Sequence, residues 1–267
     1  MKSTKKILFI ATVVLLLVAF GVSAFMVVNY LAEGKQQEDR YDELAQMVSE
    51  ASTEARETKA EETTAATTED TTPTELTMIP GYQEIYDQNS DTVGWIKIEG
   101  TKVNYPVMQT PDNPNFYLDH DFDGNSSKRG ALYAREECDI NRPSDNITIY
   151  GHNMADGSMF ATLNNYTTKS YWEKNSLIFF DTLYEYHTYK IFAVFKTSAN
   201  IGEGFSYHQF EDAENEADFN EFVSTCKKLA FYDTGITPKY GDKLICLSTC
   251  EYTLDNGRLV VAAVRIT

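Results

Sequence analysis

The sequence predicts a mainly β fold, a closed or nearly closed barrel with peripheral helices, set behind an apolar segment and a polar spacer. From residue 80 onward the chain runs through many short β-patterned stretches and few helical ones, with no internal repeat. Ahead of that, residues 7–31 contain no charged side chain, and residues 51–74 are dominated by Thr, Glu and Ala.

A bilayer core of ~30 Å needs about 20 apolar residues in a helix, so residues 7–31 are long enough to span one. Lys2, Lys5 and Lys6 precede them. Positive charge stays inside, which predicts residues 1–6 as a cytoplasmic tail and everything past the span as extracellular. Val22-Ser23-Ala24 loosely fits a signal-peptide cleavage site, but apolar character continues through Phe25, Met26, Val27 and Val28, which favours a retained anchor. Residues 32–77 read as an extracellular spacer. Tyr41, Leu44, Met47 and Val48 give its first part helical spacing, and the Thr/Glu/Ala stretch from 51 reads as disordered. Residues 78–267 form the remaining domain, long enough for one well-buried core.

Within that domain a short helix is expected over 81–89. Strands are expected at 93–98, 103–108, 130–134, 146–150, 177–181, 185–196, 243–249 and 258–266. Short helices are expected over 159–166 and 169–174. A longer amphipathic helix over 218–230 places Phe219, Phe222, Val223, Cys226 and Leu229 on one side.

The net charge of −17 excludes the basic face on which nucleic-acid binding depends. About half of that negative excess lies in residues 35–77. Four cysteines (Cys138, Cys226, Cys246, Cys250) in an exported chain raise the question of disulfides. Cys246 and Cys250 on one straight strand would lie about 13 Å apart, too far to bridge. No Cys or His spacing suits structural zinc, so a free catalytic thiol is open.

Leu244-Ile245-Cys246-Leu247-Ser248-Thr249-Cys250 is an apolar strand ending in a hydroxyl-rich turn, followed by a loop and then Arg258. A thiol reacts as the thiolate, which cationic neighbours stabilise. Alone, such a cysteine reads more readily as a small strand hydrophobe. Among the histidines, His152 in Tyr150-Gly151-His152-Asn153 sits where a strand passes into a loop, beside a glycine that permits unusual backbone. His120 falls in an acidic loop with Asp119, Asp121 and Asp123, which reads as a solvated turn rather than a calcium site. His187 falls mid-strand and His208 in a surface loop. Each taken singly reads more readily as structural.

Leu247-Ser248-Thr249-Cys250, Arg258 shortly after, and Tyr150-Gly151-His152-Asn153 about a hundred residues before, together resemble the sortase signature. Val93-Gly94-Trp95-Ile96-Lys97-Ile98, Asn104-Tyr105-Pro106-Val107, Phe116-Tyr117-Leu118, Asp121-Phe122 and the helix before the cysteine strand are similar to class B sortases in order and spacing. The resemblance covers roughly residues 81–267. It implies an eight-stranded β-barrel and a membrane-anchored cysteine transpeptidase. By that resemblance Cys250 attacks after the Thr of a C-terminal sorting signal on a surface protein. His152 is the acid/base, and Arg258 with the backbone N–H of Glu251 holds the oxyanion, with Ser248 in a supporting role. A peptidoglycan cross-bridge or lipid II amine resolves the thioester, and no cofactor or metal is implied. The alternatives are a purely hydrolytic cysteine peptidase of the cell surface and a non-catalytic wall-associated binding module.

Overall fold

The computed structural model describes residues 2–62, 77–200 and 202–267. Two compact units are present, residues 1–43 and 44–267. Helix α1 (Lys2–Glu62) enters both. Among the described residues, its N-terminal part is the one stretch long and apolar enough to cross a membrane, with a mean hydropathy of 2.8. The helix continues through 51–62, where the Thr/Glu/Ala composition led to the expectation of disordered chain. Ala, Glu, Arg and Lys are good helix formers, and no Gly or Pro interrupts that run. The expected spacer from 63 to 76 lies outside the described residues.

In the second unit, α2 (Pro80–Gln88) opens the fold with proline at its first turn, where a missing N–H costs nothing. Eight strands come after it: β1 (Thr92–Lys97), β2 (Asn104–Met108), β3 (Leu132–Ala134), β4 (Asn146–Tyr150), β5 (Leu177–Thr182), β6 (Thr188–Ser198), β7 (Leu244–Glu251) and β8 (Gly257–Arg265). All eight coincide with the expected stretches to within a few residues. Hydrogen bonding closes them into a ring in the order β1-β2-β3-β4-β7-β8-β6-β5. Pairing is antiparallel except at β2–β3 and β4–β7, which are parallel.

The helical pieces are α3 (Lys169–Lys174) and α4 (Glu216–Leu229). The helix expected over 159–166 forms as a 3₁₀ segment, Ala161–Thr167. Two more 3₁₀ turns, Phe116–Leu118 and Tyr207–Gln209, were not foreseen. The connection from β6 to β7 holds α4, which lays Phe219, Phe222, Val223 and Cys226 onto Phe192, Phe195, Leu244, Cys246, Val260 and Ala262. Burial of each large side chain there contributes roughly 2 kcal/mol. This packing positions the site. Strand side chains alternate between faces, so Leu244, Cys246, Ser248 and Cys250 share one face of β7. The same rule puts Arg258, Val260 and Ala262 together on β8. Cys250 and Arg258 therefore project on the face that α4 covers further along the sheet, beyond the reach of the helix.

Candidate active site

Cys250 stands at the end of β7, and its cross-strand partner on β8 is Arg258. Directly opposed residues have Cβ atoms about 5 Å apart, so thiol and guanidinium share one patch. On the other side, β4 runs parallel to β7 with Tyr150 beside Ser248. The chain then leaves the sheet at Gly151, whose N–H donates to the Ser248 carbonyl (3.1 Å) and whose carbonyl accepts from Thr249 Oγ1 (2.7 Å). A Cβ on Gly151 would lie 2.3 Å from Leu132 Cδ2 and 2.7 Å from the Phe160 ring. The glycine is needed for space, not for an unusual φ as the sequence suggested. That close approach delivers His152 to the rim.

His152, Cys250 and Arg258 line one cleft of about 270 Å³ with Leu118, Tyr133, Tyr150, Tyr207, His208, Ser248 and Thr249. All three are half-buried, placed to meet both solvent and a bound ligand. His152 Nε2 lies 2.7 Å from the Leu118 carbonyl. A carbonyl only accepts, so Nε2 is the donor and Nδ1 is the nitrogen left free to exchange a proton. The His152 carbonyl accepts from Phe160 N–H (2.9 Å), which fixes the backbone of this loop.

Arg258 Nη1 donates to the Asn256 carbonyl (3.2 Å), Asn256 Oδ1 (3.1 Å) and the Gly257 carbonyl (3.0 Å). Asn256 is left-handed, with φ +46°. One edge of the guanidinium is thus occupied by the β7–β8 turn, while the residue also lines the cleft. The side chain of Glu251 does not enter the site. Its carboxylate accepts from Lys196 Nζ (2.7 Å) and from the N–H groups of Thr253 (3.0 Å) and Leu254 (3.2 Å). Burial opposes the charged form, but the Lys196 ammonium and the Thr253 bonds outweigh it and lower the pKa to about 2. The carboxylate shapes the turn after Cys250. Ser248 is buried, and its hydroxyl meets Tyr207 Oη at 2.5 Å. Together they brace the wall of the cleft that Ser248 and Tyr207 both line.

The other three thiols are buried, and burial raises Cys138 to about 11 and pushes Cys226 and Cys246 well up as well. A thiol held protonated in the core is a poor nucleophile, which leaves Cys250 as the accessible one.

The histidines separate as well. His120 stacks on Phe116 (ring centroids 4.0 Å apart) and bonds its carbonyl. His187 precedes β6, buried against Arg265 and Glu185. His208 was read as surface loop. It lines the cleft instead, and burial, with the guanidiniums of Arg135 and Arg258 adding, lowers its pKa. Tyr207 and His208 make this loop one wall of the cleft, a position the sequence reading did not assign to either. Only their flanking by the aromatics Phe205 and Phe210 hinted that this loop packs. Among the described residues, no group of three or more His, Cys, Asp and Glu side chains is arranged to hold a metal ion.

A ring of eight strands with a thiol, an imidazole and a guanidinium at the ends of β7, β4 and β8 defines a cysteine transpeptidase of the sortase type. The Sortase domain family matches residues 96–266, and the chain belongs to that family, with the class B enzymes as its relatives. It is 31% identical to Sortase B of Staphylococcus aureus over 186 residues, 69% of this chain and 74% of the relative. To Sortase B of Listeria monocytogenes it is 30% identical over 187 residues, with the same shares covered. The solved Staphylococcus aureus sortase B–substrate complex superposes with a TM-score of 0.72 at 28% identity, covering 88% of this chain and 98% of that one.

Proposed function

We propose that Cys250, His152 and Arg258 are the catalytic group of this transpeptidase and that it joins sorting-signal proteins to a cell-wall amine. The observation that carries this reading is the convergence of the three side chains, from three strand ends, on one cleft. The Cys250 thiolate attacks the carbonyl carbon of the signal's threonine. Negative charge on that oxygen is met by the Arg258 fork and the Glu251 N–H, each such donor contributing on the order of 3 kcal/mol to barrier lowering. As the tetrahedral adduct collapses, the C–N bond breaks and protonated His152 gives its Nδ1 proton to the departing amine. A thioester on Cys250 remains. An amine of the peptidoglycan cross-bridge or of lipid II then attacks it, returns a proton to His152 and releases the thiolate.

In this reading the apolar part of α1 is a membrane anchor, Lys2, Lys5 and Lys6 are cytoplasmic, and the sortase domain lies outside. Its support is the length and apolarity of the helix and the position of its lysines.

The test is incubation of residues 44–267 with a library of sorting-signal pentapeptides and a panel of amine acceptors, followed by mass analysis of the products. The expected result is an acceptor-joined peptide that disappears in Cys250→Ala. Hydrolysed product alone with every acceptor would identify a peptidase, and activity unchanged in Cys250→Ala would remove the cysteine mechanism.

A further inference from the structure

The bond between Cys250 and Glu251 is fastened from one side. Asn153 Nδ2 donates to the Cys250 carbonyl at 3.0 Å, and Asn153 Oδ1 accepts from Asn164 Nδ2 at 3.0 Å. Asn164 is itself fixed within the Ala161–Thr167 3₁₀ segment, where its amide also donates to the Ala161 carbonyl at 2.9 Å. Asn153 pairs with Met159 in an isolated bridge, which holds its backbone. Neither Asn153 nor Asn164 lines the cleft.

A peptide plane is rigid, and among the described residues no peptide bond is cis. In a trans peptide the N–H points opposite to the carbonyl. Holding the Cys250 carbonyl therefore fixes the direction of the Glu251 N–H. It also fixes the backbone from which the Cys250 side chain projects. Asn153 is the residue next to His152, so one side chain ties the loop of the imidazole to the strand end of the thiol.

We infer that Asn153, held by Asn164, is a positioning residue that sets the Cys250–Glu251 peptide and the spacing of thiol to imidazole. This deepens the proposed function and rests on Cys250 as nucleophile. An asparagine suits the position because it donates to one carbonyl and accepts from another amide at once. Aspartate keeps the shape but cannot donate to a carbonyl, and alanine removes the link without adding charge.

The experiment compares Asn153→Ala, Asn153→Asp, Asn164→Ala and the Asn153→Ala/Asn164→Ala pair with wild type. Readouts are kcat and KM for peptide transfer, and the pH profile of Cys250 alkylation by iodoacetamide without substrate. Asn153→Ala and Asn153→Asp are each expected to lower kcat ~10- to 100-fold with KM within about 3-fold, as for an interaction used in the transition state. The Asn153→Ala alkylation midpoint is expected to move from wild type. Asn164→Ala should lower kcat roughly 3- to 10-fold, and the pair should be no worse than Asn153→Ala, since the two act through one link. Asn215→Ala, destabilised at the start of α4, serves as a control that keeps kcat.

The inference is overturned if Asn153→Ala keeps kcat within about 2-fold with an unmoved alkylation profile, if only the charged Asn153→Asp falls, or if the two single effects multiply. It is equally overturned if Asn215→Ala loses kcat as much as Asn153→Ala does, since loss of stability then explains both. A different failure, alkylation at a thiol other than Cys250 in wild type, would strike the nucleophile reading itself.

Discussion

At Arg258 the turn does part of the positioning. Asn256 adopts a left-handed φ and offers two oxygens to Nη1, while its own Nδ2 reaches Asn200 Oδ1 at 3.2 Å. Lysine carries the same charge on a single flexible ammonium and cannot fill those acceptors while presenting a second donor to the cleft. Arg258→Lys is expected to lower kcat ~100-fold with little change in KM, measured on the peptide and amine pair that wild type uses best. Near-normal turnover would take Arg258 out of the oxyanion role. Glu251 makes a different prediction. Its folded pKa is depressed from 4.5 to about 2, so its stabilising bond to Lys196 is fully present above pH 4.5. That contribution is lost as pH falls from there through about 2. Urea unfolding across that window should show wild type losing more stability than Glu251→Gln, which has no carboxylate to protonate. Parallel pH curves for the two would remove the linkage. At this scale Cys250, His152 and Arg258 were legible because each sits where a β-patterned run meets a loop. Tyr207, His208 and the Asn153–Asn164 pair were not, because side chains brought together across irregular backbone leave no period in the sequence.

Among the elements, α4 links stability to the cleft. Asn215 caps it, with Oδ1 accepting from the N–H groups of Ala217 (2.9 Å) and Asp218 (3.3 Å). Glu216 and Asp218 lie in its first turn and Lys227 and Lys228 in its last, both signs favourable to the helix dipole. Asn215→Ala should cost about 1 kcal/mol and leave the kinetics alone. Phe222 is different. It stacks on Phe210 with centroids 4.0 Å apart, three residues beyond the Tyr207 wall, and touches the Phe205 ring on the other side. Phe222→Ala should cost about 3–5 kcal/mol and also raise KM, because the wall loses its backing. Urea midpoints and KM measured on both variants check this, and a Phe222→Ala enzyme with wild-type KM would uncouple the helix from the cleft. All eight strands and the packed side of α4 were legible, since alternation and the 3.6-residue period are written by burial itself. The 3₁₀ turns at Phe116–Leu118 and Tyr207–Gln209 were not, since three residues are too few to show any period. The first of these carries the Leu118 carbonyl that orients His152.

Across the whole molecule, the boundary of the sortase unit falls inside a helix. The residues matching the family begin at 96, and sequence composition placed the domain start near 78. The compact unit nevertheless begins at Leu44. Leu44 is fully buried and Val48 is nearly so, and Gln88 Nε2 on α2 reaches Met47 Sδ at 3.6 Å. Covering a leucine and a valine contributes roughly 3 kcal/mol before the cost of ordering the turn that bears them. For a domain of this size 1 kcal/mol is about 2–4 °C in Tm. A protein spanning 44–267 is therefore expected to melt about 3–8 °C above one spanning 77–267, and Leu44→Ala in the longer form should remove most of that difference. Thermal unfolding followed by circular dichroism decides it. Identical Tm values for the two lengths would mean that the end of α1 is tether alone, and the sortase fold would then be self-sufficient from α2.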